Sequence, residues 1–250
     1  MERVVNYLEG KIKESELTMF ANYAKARRFN EMNFNEEIKI YEIARKLQDV
    51  ISKETSYEAL KALVPQNAQE AYVFSDRLRD AYISFMGFSF INNDYAEQMA
   101  NFLKGKKVLE VMSGNGFFSR MLKEKGVNLI STDLYVGNDN PYGLVKVLDK
   151  DIERIDAIEA VEKYGKEVDY VIMSWPPYNK PIGSQVVKKI KEVCPNVKII
   201  YIGETEGGCT ADDYFFEITE RVNDEAFEPV KYSYESWHFV HDYPQLLKVK

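Results

Sequence analysis

The stretch Glu110–Gly116, which reads EVMSGNG, stands where a short apolar strand predicted at 107–111 turns into a helix predicted at 117–125. Glycines at such a turn let the backbone approach a ligand closely, and the helix start offers free N–H groups. Asp133 closes the next predicted strand, 127–132. A carboxylate there can accept two hydrogen bonds from a ribose diol. The pattern indicates a nucleoside site at the edge of an α/β sheet.

Strands and helices alternate along the rest of this half, which predicts parallel strands joined by right-handed crossovers. The last two predicted strands, 227–240 and 245–249, have no helix between them and are expected to pair antiparallel. The predicted fold is therefore a Rossmann-like sheet of seven strands, mainly parallel, with an antiparallel last strand. The intervening strands are predicted at 144–148, 168–173 and 197–202, and the helices at 152–164, 184–193 and 212–222.

Residues 1–90 have a different pattern, with apolar residues at helical spacing and helix-capping signals. One capping box, Thr55-Ser56-Tyr57-Glu58, precedes an apolar run that Pro65 ends. We therefore predict an all-helical N-terminal domain or cap at 1–90, followed by the ligand-binding domain at 91–250. The aromatic-rich segment 85–92 either folds over the ligand or joins the two domains.

Composition limits the classes of function. The chain has 250 residues, of which 45% are hydrophobic and 29% charged, as in globular proteins. Its net charge of −7 argues against bulk nucleic-acid binding, which depends on Lys and Arg. Two cysteines and two histidines are too few to suggest a metal centre. Since no signal peptide or long apolar run is evident, we expect a cytoplasmic protein without membrane contact. The oligomeric state is left open.

A second motif lies at the end of the fourth predicted strand, where residues 174–178 read SWPPY. The glycine turn itself follows an E-x-x-x-G-x-G pattern, and Ser119 replaces the third glycine of the dinucleotide-binding pattern. Taken with Asp133, these motifs resemble class I S-adenosylmethionine-dependent methyltransferases, in which a PPY or PPF turn is common. The resemblance covers about residues 90–250.

The resemblance implies S-adenosyl-L-methionine as the cofactor and assigns residues to it. Glu110 would orient the amino group of the cofactor, and Asp133 would hold the ribose hydroxyls. Asp151 would meet the adenine amino group, although Asp149, two residues away, is an alternative, and both can be read as residues of a helix start. The implied cofactor set is Glu110, Ser113, Gly114, Gly116, Asp133, Leu134, Asp151, Ile152 and Ser174.

In amino-methyltransferases, the polar residue before the two prolines accepts hydrogen bonds from the target amino group, and the aromatic residue stacks on the substrate. This chain departs from that pattern, because Trp175 stands directly before Pro176-Pro177 and Ser174 is one place earlier. Ser174 could still reach the substrate, and Trp175 could stack on a base or close the pocket. Alternatively, Trp175 and Tyr178 pack the sheet against the N-terminal helices. These five residues are the candidate catalytic wall.

The stretch 202–210 follows the fifth predicted strand and should lie at the same edge of the sheet. In it, Glu204 could act as a base or hold a cationic substrate. Trp237 and His238 fall at the end of the predicted strand 227–240 and His241 in the loop that leads to the last strand, and exposure of this hairpin loop to solvent is the simpler interpretation.

The sequence therefore predicts a methyltransferase that uses S-adenosylmethionine on an unidentified small molecule or protein side chain. Three alternatives are a nucleic-acid amino-methyltransferase, a non-catalytic module that binds S-adenosylmethionine or a nucleotide, and an NAD-dependent oxidoreductase. The last of these shares Asp133 but requires the missing third glycine.

Overall fold

The structure is a computed structural model, and the chain divides into two units. One unit comprises Met1–Met86 and Ile91–Asn93, and the other comprises Gly87–Phe90 and Asp94–Lys250. Most of the predicted helical domain at 1–90 lies outside the described residues and stays a prediction. The structure describes residues 83, 87–136, 147–178, 180–236 and 240–250.

A seven-stranded sheet forms the centre of the second unit, in the order β3-β2-β1-β4-β5-β7-β6. Neighbours from β3 to β5 are parallel, whereas β7 is antiparallel to both β5 and β6. This arrangement confirms the predicted mainly parallel sheet with an antiparallel last strand. The strands are β1 (Lys107–Val111), β2 (Asn128–Asp133), β3 (Glu153–Arg154), β4 (Tyr170–Ser174), β5 (Lys198–Gly203), β6 (Thr219–Arg221) and β7 (Tyr243–Val249).

Helices cover the sheet and bury its central strands. Val171 of β4 and Ile199 of β5 are fully buried, within one apolar cluster that also takes in the third and fourth helices. Such burial on both faces explains why these strands are almost continuously apolar. The helices are α1 (Asn93–Phe102), α2 (Phe117–Glu124), α3 (Ala157–Tyr164), α4 (Ile182–Val193), α5 (Asp213–Glu217) and α6 (Glu228–Ser233), with 3₁₀ turns at Gly165–Glu167 and Glu225–Phe227.

The third strand and the helix after it differ from their predictions. Residues 147 and 148 are not in a strand, and the rest of the predicted strand 144–148 lies outside the described residues. The third strand is instead β3, a short edge strand paired with Thr132 and Asp133. Helix α3 begins at Ala157 rather than at 152, because the Asp156 side chain accepts a hydrogen bond from the Ile158 N–H and caps it there.

The predicted strand 227–240 is also wrong over its described residues, 227–236 and 240. Its first residues form a 3₁₀ turn and then α6, with Pro229 in the first turn of the helix. Proline fits a helix start, where no N–H partner is needed, but it interrupts a strand ladder. Besides β5, the strand that pairs with β7 is β6, which lies in a stretch predicted as the end of helix 212–222.

The strand order places a binding crevice between β1 and β4. The connection from β1 leads to β2 on one side, and that from β4 leads to β5 on the other, so the loops diverge between them. In open α/β sheets, ligands bind beyond the carboxyl ends of the strands at such a point. The glycine turn follows β1 and the SWPPY turn follows β4, on either side of this crevice.

Candidate active site

The glycine turn after β1 is a tightly packed left-handed turn. Gly114 and Gly116 have φ angles of 61° and 76°, which side chains rarely adopt. A Cβ atom at Gly116 would lie 2.5 Å from the Asp149 Cβ and 2.7 Å from the Ile152 Cδ1. Gly116 therefore allows the loop before β3 to close over the start of α2. The Gly114 N–H instead points to the end of β2, where it donates to the Asp133 carboxylate at 2.9 Å.

Asp133 is held in one orientation by two backbone groups. Its Oδ2 accepts from the Gly114 N–H and its Oδ1 from the Tyr135 N–H, at 2.9 and 2.7 Å. Burial raises the pKa of Asp133, and these hydrogen bonds oppose the rise. Each carboxylate oxygen can accept more than one hydrogen bond. The next residue, Leu134, is 41% exposed and provides an apolar surface beside the carboxylate.

Glu110 is a buried acid near the end of β1. It is 1% exposed, and its Oε2 accepts a hydrogen bond from the Ser119 hydroxyl. Burial raises the pKa of Glu110 to about 7, and the Ser119 hydrogen bond opposes this rise. The residue that replaces the third glycine of the dinucleotide pattern is therefore the partner of the buried acid.

The two acids on the loop before β3 have different environments. Asp149 is buried and accepts from the Lys123 Nζ at 2.6 Å and the Ser131 hydroxyl at 2.7 Å. Burial would raise the pKa of Asp149, but these bonds and one from the Asp151 N–H lower it. Asp151 is exposed. Asp149 therefore supports the fold, whereas Asp151 is accessible to solvent.

Ser113 and Ile152 complete the predicted cofactor set around the glycine turn. The Ser113 hydroxyl donates to the Thr132 carbonyl at 3.1 Å and ties the turn to β2. Ile152 is partly buried, and its Cδ1 lies close to Gly116. The structure thus brings the predicted cofactor residues from β1, β2 and the β3 loop together, whereas Ser174 lies on the other side of the crevice.

Trp175 is fixed by three contacts in an unusual backbone conformation. Its φ angle of 51° lies in the left-handed region, which is rare for a bulky residue. The indole stacks on Phe88, with ring centroids 5.5 Å apart and planes at 17°. Its Nε1–H donates to Asp242 Oδ2 at 2.8 Å, and its backbone N–H donates to the Ile202 carbonyl at the same distance. Segment 87–90 therefore contacts the SWPPY turn.

The remaining SWPPY residues pair with the segment after β5. The Pro176 carbonyl accepts a hydrogen bond from the Ala211 N–H at 2.8 Å, and Pro177 forms an antiparallel bridge with Thr210. Tyr178 is 57% exposed. Because prolines have fixed φ and no N–H, this pairing makes a rigid turn that leaves Tyr178 at the surface.

A buried acid that the sequence analysis missed organises this wall. Asp242, 2% exposed, accepts from the Trp175 Nε1–H, from the Tyr234 hydroxyl at 2.5 Å and from the Ser236 hydroxyl at 2.6 Å. No local motif marks Asp242, because Trp175 is 67 residues away. Only the placement of β7 beside β5 brings these groups together.

Ser174 pairs with a second hydroxyl that the sequence analysis did not single out. The Ser174 Oγ lies 2.7 Å from the Ser89 Oγ, and either can be the donor. Ser89 is buried, whereas Ser174 is partly exposed. The Ser174 hydroxyl is therefore a partly accessible polar group beside Trp175 at the end of β4.

Glu204 accepts hydrogen bonds on both carboxylate oxygens. Its Oε2 accepts from the Cys209 N–H at 2.7 Å and its Oε1 from the His241 N–H at 3.2 Å. These bonds close the loop after β5 and connect it to the start of β7, and a role for Glu204 as a base stays a prediction. Trp237 and His238 lie outside the described residues.

The described part of the chain offers neither a metal cluster nor a membrane-spanning helix. Within it, no group of three His, Cys, Asp or Glu residues is arranged to hold a metal ion. No helix of the same residues has the length and apolar character needed to cross a membrane.

The described strands form a Rossmann-like, mainly parallel sheet of seven strands in which β7 is antiparallel. No family model and no curated relative matches the sequence. Among solved structures, MtNAS in complex with MTA and tNA aligns over 96% of this chain and 98% of its own, with 11% identity and a TM-score of 0.42. The mitomycin 7-O-methyltransferase MmcR aligns over 78% of this chain and 61% of its own, with 10% identity and a TM-score of 0.37. At such identities and TM-scores, these similarities do not identify the ligand or the substrate of this chain.

Proposed function

We propose that this protein is a methyltransferase that binds S-adenosylmethionine between β1, β2 and the loop before β3. The observation that carries the proposal is the pair of acids around the glycine turn. Glu110 is buried without a cationic side chain bonded to it among the described residues, and Asp133 is fixed by the turn itself. A ligand with an ammonium group and a ribose diol would satisfy both.

The rest of the site supports the same ligand. Leu134 offers an exposed apolar surface next to Asp133, suited to an adenine ring. Asp151 is exposed on the neighbouring loop, where a carboxylate could accept from an adenine amino group. When bound, S-adenosylmethionine would supply an electrophilic methyl group on sulfur. The protein's own contribution would be to align the acceptor and exclude water.

A dinucleotide is a poorer fit to the start of α2. A diphosphate requires free N–H groups and positive potential there. In this chain the Asn115 side chain already accepts from the Phe117 N–H at 3.1 Å, and the acids Glu110 and Asp149 lie close by. These features favour a cationic ligand over an anionic one, and therefore methyl transfer over NAD-dependent oxidation.

The acceptor is proposed to be a small molecule or a protein side chain that enters opposite the cofactor, at the SWPPY wall. Its face would be formed by Ser174, Trp175 and Tyr178. With a net charge of −7, the chain is a poor match for bulk nucleic acid. A cytoplasmic location is proposed as well.

Calorimetry with S-adenosylmethionine, S-adenosylhomocysteine and NAD tests this proposal directly. We expect both S-adenosyl ligands to bind and NAD not to bind. Asp133→Asn should weaken S-adenosylmethionine binding by about tenfold or more, since a charged hydrogen bond contributes about 1.5 to 3 kcal/mol. The matched control is Glu167→Gln, an exposed acid before β4 at the opposite edge of the sheet, which should leave affinity unchanged. Preferential NAD binding would reject the proposal.

A further inference from the structure

The backbone of Trp175 belongs to a small group of strained positions beside the crevice. Within the described part of the chain, three residues other than glycine have left-handed φ angles, Met112 at 57°, Trp175 at 51° and Ala211 at 56°. Met112 directly follows β1, Trp175 directly follows β4, and the Ala211 N–H donates to the Pro176 carbonyl. All three therefore lie at the carboxyl edge of the sheet. Such strain costs free energy and is concentrated at functional sites.

Both N–H groups of Trp175 are used within the fold. The backbone N–H donates to the Ile202 carbonyl at 2.8 Å, which continues the pairing of β4 with β5. The indole Nε1–H donates to Asp242 Oδ2, also at 2.8 Å. An indole has no second polar hydrogen, and it is a donor only. The Trp175 side chain can therefore offer a ligand only the surface of its aromatic ring.

The indole of Trp175 is also held in a fixed plane. Its ring stacks on Phe88, with centroids 5.5 Å apart and planes at 17°. The anchoring acid, Asp242, is 2% exposed and also accepts from the hydroxyls of Tyr234 and Ser236, at 2.5 and 2.6 Å. Because the acid is fixed from these other sides, the ring plane is set before a ligand binds. A preorganised ring loses little conformational freedom when a ligand stacks on it.

Trp175 is accessible from the crevice side of the sheet edge only in part, together with its neighbour Ser174. Both residues are partly exposed, whereas the residues of β4 before them are buried. The Ser174 hydroxyl lies 2.7 Å from the Ser89 hydroxyl. The end of β4 thus presents an aromatic ring next to a hydroxyl group. A flat ring that carries a polar group matches this surface, because paired rings gain more free energy than their buried area alone provides.

We propose that Trp175 determines the specificity of the methyl-acceptor site by stacking on a flat aromatic or heteroaromatic ring of a small-molecule acceptor. Asp242 and Phe88 hold the indole for this contact, and Ser174 bonds to a polar group of the acceptor. The inference rests on the proposed function, because it places Trp175 on the acceptor side of the methyl-transfer site. Extended aliphatic groups, such as a lysine side chain, are poorer acceptors because they have no ring to stack.

Matched pairs of probes that differ in planarity test this inference. Benzamide and cyclohexanecarboxamide share one polar group, as do benzyl alcohol and cyclohexylmethanol, but only the first ring of each pair is flat. Dissociation constants are measured by NMR titration with saturating S-adenosylhomocysteine, which keeps the probes out of the adenine site. Wild type should bind the flat member of each pair about fivefold more tightly, as ring stacking predicts. A saturated ring buries at least as much apolar surface, so area alone cannot produce this ratio.

Substitutions of Trp175 test whether its ring causes the preference. Trp175→Leu should bring both ratios to about one, whereas Trp175→Phe keeps a smaller ring and should retain a ratio of about two. Tyr232→Leu removes an aromatic ring that is 84% exposed in α6, and as the matched control it should keep the wild-type ratio. Thermal unfolding establishes that each variant is folded.

Fluorescence provides a second measurement in which Trp175 stays intact. The chain has two tryptophans, so Trp237→Phe leaves Trp175 as the only one. Stacking changes the surroundings of the indole, and the flat probes should therefore quench or shift the emission of Trp175, whereas the saturated probes should not. This measurement does not depend on whether the Trp175 variants fold.

The outcomes separate this inference from the proposed function. A wild-type ratio near one, or a ratio that survives Trp175→Leu, would overturn the inference even where S-adenosylhomocysteine binds. Trp175 emission that responds equally to flat and saturated probes would overturn it as well. Failure of S-adenosylhomocysteine to bind would overturn the proposed function, and a Trp175-dependent preference for flat probes, measured then without it, would still support stacking at Trp175.

Discussion

The two sides of the crevice hold their buried acids in contrasting ways. On the β1 and β2 side, Glu110 accepts from Ser119 and Asp133 accepts from two backbone N–H groups. On the β4 and β7 side, Asp242 accepts from three side chains. The first arrangement leaves acceptor capacity for a ligand, whereas the second uses the acid to fix other residues. We therefore expect Glu110 and Asp133 to bind a ligand directly. We expect Asp242 to act only through the side chains that it holds in place.

The largest effect should come from removing the acid of the second side. Asp242→Ala would strand the donors of Trp175 and Tyr234, whereas Ser236 would keep the backbone carbonyl of residue 242 as an acceptor. Lost pairing of about 1 to 3 kcal/mol for each stranded group predicts a loss of about 4 kcal/mol in unfolding free energy. Urea denaturation measures this loss. Asp151→Ala, at an exposed acid on the first side, is the control and should change stability little. If the two substitutions lowered the unfolding free energy equally, the two sides of the crevice would not differ in how they use their acids.

The next effect is a pH dependence of the unfolding free energy that arises from Glu110. Its pKa rises from 4.5 to about 7 on folding, so the folded state holds the proton more tightly than the unfolded state. The resulting stabilisation is complete below pH 4.5, declines as pH rises and is lost above about pH 7. The change amounts to about 3 kcal/mol.

Glu110→Gln isolates this contribution because the amide stays neutral. Measured by urea denaturation from pH 4.5 to 8, the variant should gain stability relative to wild type by about 3 kcal/mol as pH rises. An ammonium ligand requires the carboxylate form, so wild-type affinity for S-adenosylmethionine should fall as pH drops below 7. A constant stability difference across this range would show that Glu110 is ionised throughout.

A smaller effect is expected at the glycine turn. Gly116→Ala should destabilise the fold by about 2 to 3 kcal/mol, because a left-handed alanine costs about 1 to 2 kcal/mol and its Cβ would overlap Asp149. Gly105 has a similar φ of 74°, but a Cβ added there would have no atom within 4 Å. Gly105→Ala should therefore cost only about 1 kcal/mol in thermal or urea unfolding. Equal losses would contradict the close approach of the β3 loop.

These same features show how far the sequence could predict the molecule. The central strands were predictable because burial on both faces makes them apolar runs, and the glycine turn because its backbone excludes side chains. Strands β3 and β6 were not, since each has only two or three residues, most of them charged, and these leave no apolar pattern. Asp242 was missed because its environment arises from tertiary contacts with Trp175 and Tyr234.

The smallest expected effect distinguishes the two acids of the loop before β3. Asp151→Asn should change unfolding free energy by less than about 0.5 kcal/mol, because the side chain is exposed. If Asp151 meets the adenine amino group, the same change should weaken S-adenosylmethionine binding about fivefold, as loss of one net hydrogen bond predicts. Asp149→Asn should instead lower the unfolding free energy and leave the affinity for S-adenosylmethionine unchanged, since the bonds of Asp149 to Lys123 and Ser131 support the fold. Calorimetry and urea denaturation on both variants measure the two effects. If Asp151→Asn left affinity unchanged and Asp149→Asn reduced it without loss of stability, the roles assigned to the two acids would have to be exchanged.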